Sequence, residues 1–395
     1  MILPDQSASL PAILFFGSGR WAKILLQATL SILDDNTPIV IVTARNSNGI
    51  THWLHDQGLT DRVTVVAKPS EWKTSVKAAV IVNAANDHYD AAMWCIMNRI
   101  PVLVEKPICS NYTDVQRLYA AAISERVMLC PANVFLFAEY LYVFKKELPA
   151  KVNAIDIYWT DPIGEHRYGE VKTYDPSLPI YTDWMPHIIS LLTIILSSIT
   201  DIKLKSVQLE RGGAFLKVSV LVNDVNCEIL MERNSNARCR QVNVAGNDGK
   251  IYKMDFSSEP GIINAHGINK SADLEWKDKP RPTVRMISAF LNQIATFPES
   301  DSRLAMELAM IASNLSQEIA VTYIEKRNSW LASKLSSEQE FSADMQYACS
   351  EIISIERRWK LAEALQILSN GFYRQSWNTA SVVDEIHTFL NKNFI

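Results

Sequence analysis

The feature that most constrains the fold is an alternation of short apolar runs with segments of helical spacing over the first ~130 residues. Six runs rich in branched or aromatic residues predict buried strands: AILFF, IVIVT, VTVV, AAVIVNAA, VLV and VMLC. Helices are predicted over about 20–33, 48–58, 70–77, 87–99 and 110–125. Strands that are apolar throughout and separated by helices are typical of a parallel sheet covered on both faces. The sequence therefore predicts a doubly wound α/β domain.

The pattern changes after about residue 150, where strand-like runs follow one another with turn residues between them. The runs NAIDIYWT, SVQLE, FLKVSVLV, NCEILME and RQVNVAG predict a mostly antiparallel open sheet, and an apolar helix is predicted over 186–200. From about residue 283 the chain is predicted to be helical again, with C-terminal helices near 337–369 and 379–391. The second domain is therefore predicted to be α+β, followed by a helical extension.

Composition excludes several classes of protein. Apolar residues make up 48% of the chain, and the net charge is −4 with no basic run, so a nucleic-acid partner is not expected. Six scattered cysteines form no Cys-x-x-Cys pair, which favours a reduced, cytoplasmic protein without a metal site. The start MILPDQSASLPA lacks the pattern of a signal peptide, and the most apolar segment, IISLLTIIL, is too short to span a membrane. We expect a small-molecule substrate and no membrane partner.

A glycine motif follows the first predicted strand. In FFGSGRWAK, Gly17, Gly19 and Ala22 have the spacing G-x-G-x-x-A between a strand and a helix. In that setting the backbone can approach a pyrophosphate, and the helix N-terminus supplies N–H groups and a positive dipole. Alone, a pair of glycines also suits any tight turn. The motif predicts a Rossmann domain, with the dinucleotide contacted by the loop residues Gly17, Ser18, Gly19, Arg20 and Trp21.

The end of the second predicted strand bears on the choice of dinucleotide. NAD sites usually carry an acidic residue here for the ribose 2′-hydroxyl. In IVTARNSN the chain instead has Thr43, Arg45 and Asn46. An arginine suits a 2′-phosphate, which favours NADP, and NAD stays possible because Arg45 could equally be a solvated loop residue.

Two further groups follow predicted strands, where ligands bind in open α/β sheets. Glu105, Lys106 and Pro107 follow VLV, and the proline restricts the lysine backbone. The alternative is a charged turn that merely ends the strand. After the fourth strand, Ala85, Asn86 and His88 are predicted to line the cofactor. The alternative for His88 is that it caps the next helix.

The stretch YTDWMPHIISLL places Asp183 and His187 four residues apart at the start of an apolar helix. Pro186 predicts that this helix begins near it. The i, i+4 spacing would put a carboxylate beside an imidazole, whereas the alternatives are a plain N-cap and a core-facing histidine. The long polar segment 158–183 supplies four candidate substrate contacts: His166, Arg167, Tyr168 and Tyr174. The arginine suits an anionic group. For each of the four, the alternative is a residue of a solvated loop.

Taken in order, GSGRWA, VNAANDHYDAAMWCIMNRIPVLVEKPI, DWMPH and SRLAMELAMIAS resemble the glucose–fructose oxidoreductase / inositol dehydrogenase / MocA (Gfo/Idh/MocA) family over about residues 10–325. The resemblance implies that Lys106 contacts substrate and nicotinamide. In the family the Lys-Pro bond is often cis. It also implies that Asp183 and His187 complete the catalytic group, and that the protein is a homo-oligomer, a dimer or tetramer. Ala22 replaces the family's third glycine, and the last ~65 residues lie beyond the family pattern.

The predicted function is hydride transfer between a nicotinamide cofactor and a sugar, cyclitol or related polyol or ketone. His187 is the predicted acid–base, Lys106 is predicted to stabilise the reacting oxygen, and Asp183 either orients His187 or binds a neighbouring hydroxyl. An imine or ketone reductase and a non-catalytic NADP-binding sensor or scaffold are the alternatives. The predicted domains are a dinucleotide-binding Rossmann domain at 1–132, a substrate and oligomerisation domain at 133–328 and the helical extension at 329–395.

Overall fold

The computed structural model describes residues 10–167, 170–171, 174–298, 301–337 and 342–356. The described residues group into two compact units, each built from two stretches of the chain. One unit comprises those of 1–139 and 278–313, and the other those of 140–277 and 314–356. These units reflect proximity of the backbone, whereas the three predicted domains divide the chain by function, so their boundaries stay a prediction.

The first unit contains a six-stranded parallel sheet in the order β3-β2-β1-β4-β5-β6. This order confirms the predicted doubly wound Rossmann architecture. Strand β1 is completely apolar and buried, as expected for a strand covered on both faces. The chain order reverses between β1 and β4, and ligands of such sheets bind in the crevice beyond the carboxyl ends at this point. The six strands are β1 (Ala12–Phe16), β2 (Ile39–Val42), β3 (Val63–Val66), β4 (Val76–Ile81), β5 (Val102–Val104) and β6 (Leu129–Pro131).

Several helices begin and end close to their predicted bounds. Those at the glycine motif and after β4 and β5 match their predictions. In the described residues the helices are α1 (Arg20–Leu30), α2 (Ser47–Asp56), α3 (His88–Met97), α4 (Tyr112–Glu125), α5 (Glu139–Glu147), α6 (Ile180–Leu196), α7 (Pro282–Gln293), α8 (Met306–Ser337) and α9 (Ala343–Glu356).

The predicted helix over 70–77 is wrong. A short 3₁₀ turn at Pro69–Glu71 is followed directly by β4, which starts at Val76. Val76 pairs with Ala12 at the start of β1. The pairing of β4 beside β1 satisfies its backbone groups and buries it, and this tertiary context overrides the local helical spacing.

The second unit contains an eight-stranded sheet in the order β10-β11-β12-β7-β13-β14-β15-β16. Only the β12–β7 pair is parallel within this sheet, which confirms the mostly antiparallel prediction. Along β11 and β13 buried residues alternate with more exposed ones, so one face of the sheet packs inward. The strands are β7 (Val152–Pro162), a small pair β8 (His166–Arg167) and β9 (Glu170–Val171), then β10 (Ile202–Glu210), β11 (Phe215–Val222), β12 (Val225–Ser235), β13 (Cys239–Gly246), β14 (Ile251–Asp255), β15 (Ile262–Ala265) and β16 (Ile268–Ser271).

Helix α6 begins at Ile180, so the prediction that it starts near Pro186 is wrong. Pro186 lies inside the helix, and Pro179 rather than Asp183 occupies the N-cap position. The backbone N–H of Asp183 donates to the carbonyl of Pro179 at 3.0 Å. Residues Ile180 to Met185 include several buried apolar side chains, and their burial offsets the hydrogen bond that an internal proline removes.

The described residues of the C-terminal part, up to 356, form two helices. Helix α8 is 32 residues long, and α9 covers the described part of the predicted 337–369 segment. The predicted 379–391 helix lies outside the described residues. Of the helices described, none combines the length and apolar character needed to cross a bilayer.

Candidate cofactor and acid–base sites

The glycine loop follows β1 at the carboxyl edge of the parallel sheet. Gly17 has φ +125°, and a Cβ built on it would lie 2.7 Å from both the backbone N of Asn83 and the carbonyl O of Val82. Its N–H donates to the carbonyl of Val42 at 3.1 Å. Only glycine allows the backbone to pass this close to the end of β4. The first glycine of the motif is therefore required by packing at the switch point of the sheet.

Gly19 serves a different purpose, because it occupies the N-cap position of α1 with φ −75°. A Cβ built on Gly19 would meet no atom within 4 Å of it in the described structure. Among the described residues, no side chain caps α1 either. The first N–H groups of the helix and its positive dipole therefore border open space, which fits the pyrophosphate of a dinucleotide.

Polar side chains link the glycine loop to the end of β2. The Ser18 hydroxyl is buried and lies 3.1 Å from the Thr43 hydroxyl. Arg45 is 88% exposed, and its Nη1 lies 3.8 Å from Asp87 Oδ2 in the turn after β4. Asn46 occupies the N-cap position of α2. The end of β2 thus carries a hydroxyl group and a solvent-facing cation, polar groups of the kind that bind the ribose of a dinucleotide.

Glu105 joins the glycine helix to the lysine after β5. Its side chain is buried, Oε1 accepts a hydrogen bond from Trp21 Nε1 at 2.5 Å, and Oε2 accepts one from the backbone N of Lys106 at 3.0 Å. Each carboxylate oxygen holds a different element. The backbone of Lys106 is therefore tied to α1 at the edge of the sheet where the glycine loop lies.

His88 supports the other side of the same turn. It is 2% exposed, with Nδ1 2.8 Å from the carbonyl O of Pro107 and Nε2 3.2 Å from that of Asn83. Burial lowers the pKa of His88, and the neutral ring can donate to only one of these two carbonyl oxygens. The Lys106–Pro107 bond that it supports is cis. Asn86 lies beside it, in the 3₁₀ turn Ala85–Asp87 that precedes α3.

The second unit carries the aspartate and histidine on α6. Asp183 Oδ2 accepts a hydrogen bond from Arg233 Nη2 at 2.9 Å, and Arg233 on β12 is 2% exposed. The buried guanidinium keeps Asp183 in its charged form, because a buried cation without a carboxylate would be costly. Asp183 is therefore an anion in a fixed orientation, one helical turn before His187.

His187 and a second arginine both pack on Trp159. The imidazole stacks on the indole with ring centroids 5.4 Å apart and an interplanar angle of 19°. Arg240 places its guanidinium 4.2 Å from the same ring and donates to Asp161 Oδ1 at 2.5 Å. Burial lowers the pKa of Arg240 to about 10, against the opposing charge of Asp161, so it is still a cation near pH 7. The indole of Trp159 therefore contacts both the His187 ring, which stacks on it, and the Arg240 guanidinium.

The remaining predicted substrate contacts differ in what the structure describes. Tyr174 packs against Tyr347 with ring centroids 5.5 Å apart, and Arg233 lies 4.9 Å from the centre of its ring. Arg167 belongs to β8, and Tyr168 lies outside the described residues. Across the described ranges, no three His, Cys, Asp or Glu side chains are grouped so that they could hold a metal ion.

The sequence model of an oxidoreductase family described as having an NAD-binding Rossmann fold, GFO_IDH_MocA, matches residues 12–132. This span contains the glycine loop, the end of β2 and the Glu105–Lys106–Pro107 turn. Residues 12–132 therefore match the Rossmann domain of this oxidoreductase family. Among curated proteins, none matches the sequence.

Solved structures of similar fold extend the comparison beyond this Gfo/Idh/MocA domain. An oxidoreductase from Magnetospirillum magnetotacticum is 18% identical, with a TM-score of 0.58 over 78% of this chain and 99% of that one. UDP-N-acetylglucosamine 3-dehydrogenase from Acidithiobacillus ferrooxidans is 14% identical, with a TM-score of 0.63 over 79% and 97%. A 3-ketoreductase from Actinomadura kijaniata, in complex with NADP and TDP-benzene, is 14% identical, with a TM-score of 0.60 over 78% and 97%. At these identities the likeness shows the fold.

The residues that the resemblance assigns to the catalytic group lie in both units, Lys106 in the first and Asp183 with His187 in the second. Their action on one substrate stays a prediction. Sequence reasoning missed Trp159, Arg233 and Arg240. A signal was present, because Arg233 continues the buried alternation of Cys227, Ile229 and Met231 along β12. An arginine in phase with an apolar face indicates a buried cation and hence a buried partner.

Proposed function

We propose that this protein is an NADP-dependent oxidoreductase that transfers a hydride between the nicotinamide and a sugar, cyclitol or related polyol or ketone. The observation that carries the proposal is the Glu105 bridge. It ties the backbone of Lys106 to the helix of the glycine loop, at the edge of the sheet where dinucleotides bind. A lysine that only ended a strand would not need a buried carboxylate to hold it.

The residues that would hold the cofactor are those around the glycine loop. The N–H groups of α1 suit the pyrophosphate, and Thr43 and Arg45 suit the 2′-phosphate. When bound, the nicotinamide supplies the hydride chemistry. The protein contributes position, charge and a route for the proton.

The proposed proton chemistry uses one group from the first unit and two from the second. In oxidation, His187 takes the proton of the substrate hydroxyl, and in reduction it returns that proton to the carbonyl oxygen. The Lys106 ammonium donates a hydrogen bond to the same oxygen and stabilises its developing negative charge. The Asp183 anion stabilises the imidazolium as it forms. A positioned base of this kind contributes roughly 10²–10⁴-fold.

Nucleotide sugars are the first substrates to test. Two of the similar folds are named as a UDP-N-acetylglucosamine dehydrogenase and a 3-ketoreductase. They guide the choice of compounds, and the reaction is a proposal for this chain. The panel should also contain cyclic ketones. It should contain imines as well, because the same groups can protonate a nitrogen.

The test is turnover of NADPH or NADP with this panel, together with direct measurement of NADPH binding by fluorescence. We expect Lys106→Ala and His187→Ala each to lower kcat by at least about 10²-fold while NADPH still binds. Lys77→Ala is the matched control for the lysine, since Lys77 is exposed at the start of β4, the opposite edge of the same sheet. His266→Ala is the control for the histidine, since His266 is exposed.

Tight NADPH binding without turnover of any compound would favour the sensor or scaffold alternative. Unchanged turnover in both Lys106→Ala and His187→Ala would contradict the assigned roles.

Cofactor choice has a separate test. Arg45→Ala should weaken NADPH binding about tenfold and leave NADH binding nearly unchanged, because only NADPH carries the 2′-phosphate. Arg99→Ala, which removes an exposed arginine paired with Glu125, is the control. Equal loss for both cofactors would contradict the NADP assignment.

A further inference from the structure

We propose that α9, which lies beyond the family pattern, holds the Asp183 carboxylate in place through Tyr347 and Arg233. Tyr347 is then a positioning residue for the reaction. This inference rests on the proposed function, because it assumes that Asp183 takes part in the chemistry. It also makes a structural claim about Asp183 that is tested without any substrate.

Arg233 is the centre of the arrangement. Its Nη2 donates to Asp183 Oδ2 at 2.9 Å, and its Nη1 donates to the carbonyl O of Leu178 at 2.9 Å and to the Tyr347 hydroxyl at 3.5 Å. The guanidinium is buried, so its orientation is set by these acceptors rather than by water. One terminal nitrogen serves the aspartate, while the other is shared between α9 and the residues before α6.

Tyr347 is buried on α9, and its ring packs on Tyr174, which lies 4.9 Å below the Arg233 guanidinium. Tyr347 therefore meets Arg233 in two ways, by its hydroxyl and through the ring of Tyr174. A change at Tyr347 alters the orientation of Arg233, and Arg233 carries that change to Asp183. The sequence separation is 114 residues between Arg233 and Tyr347 and 50 between Arg233 and Asp183.

Ion pairs on either side of Tyr347 fix α9 against the rest of the unit. Asp344 accepts two hydrogen bonds from Arg211, at 3.2 and 3.1 Å. Glu351 accepts from Arg327 at 2.7 Å, with both side chains almost fully buried. These acidic residues stand three before and four after Tyr347, so all three lie on one face of the helix.

Helix α9 also packs closely against the turn at Arg211–Gly213. A Cβ on Gly212 would lie 2.8 Å from the carbonyl O of Asp344, so the turn at Arg211–Gly213 and α9 are in direct contact. A tyrosine hydroxyl held in this way is part of a rigid surface. A rigid supporting shell of this kind is what a catalytic carboxylate needs to keep its geometry.

The substrate-free test is a ¹³C NMR titration of the Asp183 carboxyl, assigned by its absence in Asp183→Asn. We expect Tyr347→Phe to raise the titration midpoint of Asp183 by up to about one pH unit, because a less well held Arg233 stabilises the anion less. Tyr252→Phe is the matched control. Tyr252 is a buried tyrosine on β14 whose hydroxyl donates to Asp248 in the preceding turn, so the change removes a comparable hydrogen bond away from α9 and should leave the Asp183 midpoint unchanged.

The kinetic test uses the substrate that the panel identifies. Tyr347→Phe should lower kcat about ten- to a hundredfold and shift its pH profile, with KM changed less than about twofold. In combination with Asp183→Asn it should add nothing further, since both act on one group. The Tyr252→Phe protein should keep the wild-type pH profile.

The outcomes separate the two proposals. If Asp183→Asn has no kinetic effect, the role of Asp183 in the proposed function fails, and the NMR titration still decides whether α9 holds it. An Asp183 midpoint that is the same in wild type and Tyr347→Phe would overturn the positioning inference. So would a kinetic loss that is equal in Tyr347→Phe and Tyr252→Phe, or one that adds to that of Asp183→Asn.

Discussion

The glycine loop of the first unit is shaped mainly by its backbone, whereas the second unit contains buried arginine side chains, those of Arg233 and Arg327. In the glycine loop the backbone passes close to the end of β4 at Gly17 and leaves the start of α1 open at Gly19. Its predicted phosphate-binding arginine, Arg45, is 88% exposed. In the second unit the charges are inside, where Arg233 and Arg327 are each 3% exposed by side chain.

Because of this difference, the two sites are disrupted by different kinds of substitution. A backbone site fails when a side chain fills its space or the turn cannot form. A buried charge fails when its partner is removed, because the remaining ion has neither water nor a counter-charge. Removing a buried charge should therefore cost the most stability, and removing an exposed one the least.

Removing the carboxylate of Glu351 should have the largest effect. It is 2% exposed and pairs with Arg327 and the Tyr323 hydroxyl. In Glu351→Ala the Arg327 guanidinium stays buried without its anion, which lowers the free energy of unfolding by about 3–5 kcal/mol. Urea denaturation measures this. A loss under about 1 kcal/mol would mean that the buried pair is not needed, as for pairs on the surface.

The two glycines of the loop should separate folding from binding. Gly17→Ala forces a methyl group onto the backbone of β4 at a positive φ, and should cost roughly 1–3 kcal/mol of stability. Gly19→Ala is its matched partner, at an ordinary φ beside open space. It should change stability by no more than about 1 kcal/mol and weaken NADPH binding about tenfold. Thermal unfolding and fluorescence titration measure the two effects, and the opposite pattern would refute the assignment.

A pH effect is expected from His88. Burial holds its pKa below that of the unfolded chain, so the unfolded state binds more protons once the pH falls below about 6.5. Stability from this residue is therefore full above that pH and is lost as the pH falls. Urea unfolding of wild type and His88→Gln between pH 5 and 8 measures it, and the variant should show a smaller decrease on acidification. Parallel curves for the two proteins would show that His88 does not contribute.

The smallest effect is expected from an exposed ion pair. Arg117 on α4 lies 3.2 Å from Asp114 one turn earlier, and its side chain is 64% exposed. Arg117→Ala should change the free energy of unfolding by less than about 0.5 kcal/mol, because solvent screens the pair. A loss comparable to that of Glu351→Ala would remove the distinction between buried and exposed charges.

Much of the first unit could be predicted because its signals are local. The apolar runs of β1 and β2, the G-x-G-x-x-A spacing and the Glu105–Lys106–Pro107 turn are each read within a few residues. The prediction over 70–77 was wrong because pairing of β4 with β1 decides that segment. Asp183 and His187 were found by spacing, but the start of α6 was misplaced, since burial of Ile180 and Trp184 extends the helix ahead of Pro186.

By itself the sequence determined the parallel sheet and the glycine loop, because side-chain periodicity and the conformational freedom of glycine act over neighbouring residues. Only the tertiary structure decided which charges meet. Arg233 reaches Asp183 across 50 residues and Tyr347 across 114. Loop-closure entropy changes only slowly with chain length, so separation along the sequence does not indicate which partners pair. In a low-dielectric interior the distance through space sets the energy, and the fold alone sets that distance.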